Sequence, residues 1–368
     1  MRGNYVGVVG LGMMGVAIAA AHLRVGVPVL LYDISSSILD SVLERIEVEL
    51  NSQGLTLDAS LVVCTNQLAD IAKLPVIIET VTEKLRVKQR LYSELQKESA
   101  ELGVESLIFS NTSTISITKL AEIFDVGWRS RFCGLHFFHP VRQRSLVEII
   151  AGKDTVKSTI EAAKQHAYRI EKQPIEVKDC PGFLVNRILH GYLSAALELF
   201  ESGVAISRIE QAAVKFGMKM GPFRIMDEIG LDVVLQAGWV LQKAFPNRVS
   251  NSPTLLKLVE ARSLGRKTGR GFMTYKSKNA WNEMDNEIGN EGNDRINPDI
   301  ENYQSLININ NEISDNQIIK RLLEKMRAEA IDCYEDGVID NIAIADIASI
   351  QALGFPESIG GITQYKFD

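Results

Sequence analysis

Cysteine is scarce: four residues in 368, Cys64, Cys133, Cys180 and Cys333, stand far apart and form no C-x-x-C pair. This argues against a disulfide framework or a zinc site and for reduced thiols in a cytoplasmic protein. A basic excess is also missing. Forty Lys and Arg against 46 Asp and Glu give a formal net charge of -6, so the bulk field favours neither phosphate backbones nor anionic bilayers. Neither a nucleic-acid nor a membrane partner is expected. Nothing in the composition is disordered or collagen-like, since 46% of residues are hydrophobic and 23% charged, with 27 Gly and 10 Pro. The length leaves room for two domains and a small third, and excludes a single small module. Charge is absent from residues 3–23, which follow Arg2 and include an Ala-rich stretch, superficially like a secretory leader. Four glycines, Gly7, Gly10, Gly12 and Gly15, and direct continuation into a second strand-like segment favour a nucleotide loop there instead.

To about residue 178 the chain alternates short β-rich runs with longer helical ones, which predicts an α/β fold with a helix-covered parallel sheet. Strands are expected at 5–9, 27–32, 61–64, 75–79, 106–110, 131–137, 146–150 and 174–177. An amphipathic helix is expected at 85–99, where Leu85, Val87, Leu91 and Leu95 alternate with polar residues. After Asp179-Cys180-Pro181-Gly182 the sequence turns helical. The expected organisation is a dinucleotide-binding domain (1–180), a helical domain (181–276), a polar Asn-rich linker (277–315) and a second, shorter helical repeat (316–368). The repeat rests on Glu201-Ser202-Gly203-Val204 before Pro222, echoed by Glu335-Asp336-Gly337-Val338 before Pro356 at the same spacing.

Within the first domain, Gly10-Leu11-Gly12-Met13-Met14-Gly15 places G-x-G-x-x-G after a strand and at the opening of a helix. The first glycine permits the tight turn, the second lets backbone approach a pyrophosphate, and the third allows close helix-to-strand packing. The helix N-terminus offers free N–H groups to the anion. Asp33 closes the second strand, where a carboxylate accepts from an adenosine ribose. Ile34, Ser35, Ser36 and Ser37 follow it without an arginine for a 2′-phosphate, so NAD is expected rather than NADP.

His136 and His139 fall at the mouth of a late strand, where open α/β sheets bind ligands. Glu148 interrupts the apolar run Leu146-Val147-Glu148-Ile149-Ile150. A carboxylate on such a strand needs a partner. An imidazole on the neighbouring strand gives a His-Glu pair suited to removing a proton from an alcohol while hydride leaves; a nearby arginine such as Arg142 gives an ordinary salt bridge.

Taken together, the motifs resemble the 3-hydroxyacyl-CoA dehydrogenase family over essentially the whole chain. They are GLGMMG, Glu79-Thr80-Val81-Thr82-Glu83, Ser110-Asn111-Thr112-Ser113, Gly134-Leu135-His136-Phe137-Phe138, Leu146-Val147-Glu148-Ile149, Pro181-Gly182-Phe183-Leu184-Val185-Asn186-Arg187 and Gly265-Arg266-Lys267-Thr268-Gly269-Arg270-Gly271-Phe272. The resemblance implies a Rossmann-type domain followed by an all-α domain, and reversible oxidation of a 3-hydroxyacyl thioester. It makes His136 the base and Glu148 its partner, with Ser113 and Asn186 bonding the substrate's reacting region or the histidine. It places Asn111, Glu83 and Lys88 with the cofactor, the last two near the nicotinamide. Ser113 as a helix cap and Asn186 as a structural amide at a helix start are the plainer alternatives.

Three departures from the family bear on substrate. His139 and Arg144 stand where the family more usually has Asn and Met, so that with Arg142 the loop borders the substrate pocket with donors and charge. The segment between Glu44 and Cys64 is short and acidic where a basic hairpin commonly helps hold coenzyme A. The final repeat resembles the duplicated helical domain of the larger fatty-acid enzymes, which implies either a homodimer or a monomer with an internal pseudo-dimer. These features are similar to the branch acting on glyceryl groups carried by acyl carrier protein in polyketide extender-unit synthesis. A fatty-acid type CoA dehydrogenase, a sugar-acid dehydrogenase of the gulonate type and a crystallin-like non-catalytic protein are the competing expectations.

Overall fold

The computed structural model describes residues 5–249, 252–275, 295–300 and 313–367. The chain divides into two compact units, Met1–Phe183 and Leu184–Asp368.

In the first unit, strands β1 (Val6–Val9), β2 (Val29–Tyr32), β3 (Val62–Thr65), β4 (Val76–Glu79), β5 (Leu107–Ser110), β6 (Phe132–Phe137), β7 (Leu146–Ala151) and β8 (Gln173–Lys178) form one sheet in the order β3-β2-β1-β4-β5-β6-β7-β8. All neighbours are parallel except β6 and β7, which are antiparallel with His136 directly opposite Glu148. Every expected strand forms, with ends moved by a residue or two. The inner strands are continuous apolar runs because helices cover both faces. Helices α1 (Met13–Leu23), α2 (Ser36–Asn51), α3 (Leu68–Ile71), α4 (Leu85–Glu101), α5 (Ile117–Ala121), α6 (Val126–Arg129) and α7 (Lys157–Arg169) complete the unit. Ala17, Ile18 and Ala21 of α1 share a buried cluster with Phe109, Leu135, Phe137 and Val147 from the sheet and Ile160 and Ala163 from α7. The small side chains of α1 let that helix lie close on the strands, and its opposite side packs with Val42, Ile46 and Leu50 of α2. Truncating a fully buried residue here, such as Phe109, to alanine costs about 3–5 kcal/mol.

The second unit contains α8 (Val185–Glu201), α9 (Ile206–Phe216), α10 (Pro222–Ile229), α11 (Leu231–Ala244) and α12 (Pro253–Glu260), then α13 (Asp315–Glu335) and α14 (Ala343–Gln351). It is not wholly helical: β9 (Met273–Thr274) and β10 (Arg295–Ile296) form a short antiparallel pair. Part of the expected linker is thereby tied down, because the Asn297 backbone and side-chain N–H groups donate to the carbonyls of Phe272 (2.9 Å) and Gly271 (2.8 Å). The remaining Asn-rich residues, 276–294 and 301–312, lie outside the described residues.

The terminal segment is not a separate domain, since α13 packs along α8 within this unit. Gly191 makes the close approach possible: a Cβ there would lie 2.7 Å from the Lys325 carbonyl oxygen. Arg187, 1% exposed, donates to Glu329 (3.2 Å) and Asp336 (3.0 Å) and lies over the Phe245 ring. Removing either side of such a buried ion cluster leaves an uncompensated charge, a loss of about 3–5 kcal/mol. The expected echo has a structural counterpart. Gly203 and Gly337, both at positive φ (98° and 70°), stop α8 and α13, and the following Val204 and Val338 each donate back to the carbonyl five residues earlier.

Candidate active site

The glycine loop follows β1, and each glycine has its own reason. Gly10 has φ +90°, and a Cβ on it would press to within 2.9 Å of the Val81 backbone. A Cβ on Gly15 would lie 2.0 Å from the Gly10 carbonyl, so α1 can leave the strand only from glycine. Nothing lies within 4 Å of a Cβ on Gly12. That open face, together with an α1 N-terminus lacking any side-chain cap, is the cradle a pyrophosphate needs. Met13 is exposed and Met14 packs against the α1 core.

At the end of β2 the Asp33 carboxylate accepts from the backbone N–H groups of Leu11 (2.9 Å) and Ser35 (2.9 Å). It therefore fixes the glycine loop and keeps acceptor lone pairs to spare. Arg45 of α2 donates to the Leu11 carbonyl from the other side (2.8 Å). These residues fit a dinucleotide.

Beside the loop, the ends of β4 and β5 hold a buried polar network. Glu79, fully buried, accepts from Lys88 Nζ (2.6 Å) and Val81 N (2.7 Å) on one oxygen and from Ser110 Oγ (2.8 Å) and the Tyr92 hydroxyl on the other. Lys88 also donates to the Val81 carbonyl (3.1 Å) and reaches Glu83 at 3.5 Å, so its three N–H groups are all engaged. Glu83 Oε1 accepts from the Ser113 and Thr114 backbones (2.9 and 3.0 Å) and the Thr112 and Thr114 hydroxyls (2.6 and 3.1 Å). Burial alone raises the Glu83 carboxyl, but Lys88 and these donors outweigh it and hold it below its ordinary value. Glu83 and Lys88 thus anchor the Ser113 loop. Glu79, Ser110 and Tyr92 have no role in the sequence reading, although Glu79 and Ser110 stand in the motifs quoted there.

Further along the sheet, His136 Nδ1 and Glu148 Oε2 are 2.7 Å apart, with the two residues 4% and 0% exposed. An ionised carboxylate only accepts, so Nδ1 carries the proton and Nε2 is left with the lone pair. The Phe138 and Phe183 rings lie against the imidazole, at 4.6 and 5.9 Å between centroids. Asn111 ties β5 to this strand by accepting from Phe137 N (2.9 Å). Ser113 does not cap the following helix: the hydroxyl of Ser116 and the carboxylate of Asp179 do that for α5. Asn186 belongs to the second unit, in the first turn of α8.

The loop between β6 and β7 differs in one respect from expectation. Arg142 is engaged by Glu49 of α2 at 3.1 Å, beside Ala17 and Ala21 of α1. The placement of Arg142 at a substrate pocket's border is corrected accordingly, because its guanidinium is held against the α1–α2 flank. His139 is largely buried, and burial, reinforced by the charges of Arg142 and Arg144, lowers its pKa to about 4, so it is neutral at pH 7. Arg144 is partly buried in the same loop. Lys172 clamps the loop by donating to the carbonyls of Val141 and Arg144 (2.8 Å for the latter), and burial lowers its pKa to about 8. No group of His, Cys, Asp and Glu among the described residues is arranged to hold a metal ion.

A largely parallel sheet with a glycine loop after β1, a carboxylate at the end of β2 and a His-Glu pair further along defines a Rossmann-type dinucleotide-binding protein. Residues 5–180 match the NAD-binding domain of 3-hydroxyacyl-CoA dehydrogenase, and residues 182–275 match the C-terminal domain of the same family. The chain belongs to the 3-hydroxyacyl-CoA dehydrogenase family, and NAD is the cofactor of its first domain. Among curated proteins it is 32% identical over 371 residues to the fatty acid oxidation complex subunit alpha of Pseudomonas savastanoi pv. phaseolicola, covering 97% of this chain and 49% of that protein. The chain thus spans about half the length of the curated relatives it matches. Of solved structures, 3-hydroxybutyryl-CoA dehydrogenase from Escherichia coli K12 superposes with a TM-score of 0.78 at 26% identity, covering 97% of this chain and 90% of that one. (S)-3-Hydroxybutyryl-CoA dehydrogenase from Ralstonia eutropha gives 0.67 at 32%, covering 74% and 99%.

Proposed function

We propose that the protein oxidises a 3-hydroxyacyl thioester to the 3-oxoacyl thioester with NAD as hydride acceptor. The observation that carries this reading is the 2.7 Å contact of His136 with Glu148, at the same end of the sheet as the glycine loop. His136 Nε2 takes the hydroxyl proton as the C3 hydride departs to the nicotinamide. Glu148 holds the imidazole in the required tautomer and stabilises the imidazolium that forms. The family resemblance gives Ser113, whose backbone is fixed by Glu83, and Asn186 the role of bonding the substrate's reacting region or the histidine.

The sharper reading of the substrate is a short polar acyl group, such as glyceryl, carried on acyl carrier protein. It is supported by His139 and Arg144 in the loop after the base, and by the short connection from α2 to β3. The alternative is a CoA ester, favoured by the names of the relatives. Internal packing of α13 on α8, with matched helix stops, supports a monomer with an internal pseudo-dimer over a homodimer. No helix among the described residues is long and apolar enough to cross a membrane.

The test follows NADH absorbance with matched 3-hydroxyacyl groups presented as CoA esters and on acyl carrier protein. Faster turnover of the carrier-bound glyceryl group supports the sharper reading, and faster turnover of CoA esters replaces it with the alternative. Absence of turnover on every 3-hydroxyacyl thioester refutes the function.

A further inference from the structure

Strand order constrains where a bound dinucleotide lies. β4 and β5 separate β1, which ends in the glycine loop, from β6, which carries His136. A cofactor whose pyrophosphate rests on that loop and whose ring receives hydride beside His136 must pass over the ends of β4 and β5. There the register sets Glu79 between Val9 and Ser110.

The charges at that point do not cancel. Glu79 and Glu83 are two carboxylates sharing the single ammonium of Lys88, at 2.6 and 3.5 Å. Tyr92 adds a hydrogen bond but no charge, because burial and the neighbouring Glu79 push its phenol well above its ordinary value. Lys84 is exposed and so screened by solvent. Glu79 and Lys88 are almost wholly shielded from water, at 0% and 1% exposure, where charge acts at longer reach.

We propose that the Glu79–Lys88–Glu83 group, carrying one uncompensated negative charge, sets the preference of the site between oxidised and reduced cofactor. The nicotinamide ring is cationic in NAD and neutral in NADH, so a fixed negative charge favours the oxidised form. Glu79 is then a positioning residue for Lys88 and Glu83 and also a source of field. The inference rests on the proposed function.

The test is the ratio of dissociation constants for NAD and NADH, measured by calorimetry or by fluorescence. Glu79→Gln is expected to raise the ratio of the NAD constant to the NADH constant on the order of tenfold, the effect of one unit charge acting through a partly screened interior. Glu79→Asp, which keeps the charge, is expected to restore most of the ratio. Tyr92→Phe is expected to lower thermal stability and leave the ratio alone. A Glu79→Gln protein that binds both forms with the wild-type ratio, or loses affinity for both equally, overturns the proposal in favour of a purely structural network. Where Glu79→Gln does not fold, Glu83→Gln, on a side chain 33% exposed, carries the same expectation, and an unchanged ratio there overturns it too. Failure of the wild-type protein to bind either form refutes the proposed function instead.

Discussion

Glu148→Gln isolates the charge of the His-Glu pair from its shape. In the resting protein the glutamine oxygen can still accept from His136 Nδ1 across the 2.7 Å contact, so orientation is kept. What is lost appears as the proton arrives on Nε2 and the imidazole becomes a cation. Two unit charges with centres about 4 Å apart attract by about 4 kcal/mol at an effective dielectric near 20. Both residues are shielded from water, at 4% and 0% exposure, so little of that is screened. A neutral amide returns about a quarter of it as a hydrogen bond, leaving a deficit of about 3 kcal/mol in the transition state, or roughly a hundredfold in kcat. The assay is steady-state NADH formation from a 3-hydroxyacyl thioester, with kcat and KM resolved separately and NAD affinity measured by titration. Loss is expected in kcat, with NAD affinity and thermal stability close to wild type. A kcat within threefold of wild type, or an effect confined to KM, would refute the assignment of Glu148 as the group that stabilises the imidazolium.

Asp33→Ala removes both a ribose acceptor and the carboxylate that receives Leu11 N, so NAD affinity is expected to fall about tenfold with a shift toward NADP; equal retention of both preferences in binding titrations contradicts the ribose role. Glu210 of α9 is buried and accepts from Phe223 N, and burial pushes its pKa up to about 7. The native state therefore holds this proton to higher pH than the unfolded chain, and its contribution is greatest below about pH 4.5 and is lost as pH rises to about 7. Glu210→Gln is expected to flatten the stability profile across that window by roughly one proton and to gain up to about 3 kcal/mol at pH 8, read from unfolding midpoints at successive pH values; a profile parallel to wild type counts against a buried carboxyl titrating there.

Much of the first unit is legible in the sequence because its determinants are local. Inner strands covered on both faces read as apolar runs, and the glycine loop announces itself by needing no side chains at three positions. The candidate pair is legible for a related reason: a glutamate in the run 146–150 demands a partner, and the nearest chemistry-bearing strand holds a histidine. What escapes is set by distance along the chain. Arg142 meets Glu49 and Arg187 meets Glu329, and no periodicity encodes either pairing. For the same reason the sequence marks the terminal segment as a second repeat but does not show which residues seat it, such as Gly191 against Lys325. Glu79 reads as one acid in a motif; its importance comes from burial among donors supplied by two other elements, α4 and β5.

The antiparallel pairing of β6 and β7 gives the site a modular character. His136 and Glu148 are opposite one another by register, and Lys172 pins the connection between them from outside it. A slip of one residue would turn one member of the pair to the other face of the sheet, so the arrangement is all or nothing. The connecting residues 138–145 answer to a different constraint: they must span the gap, and their side chains do not set the pairing. The loop can therefore change its side chains, those of His139 and Arg144 included, without disturbing the register that sets His136 against Glu148.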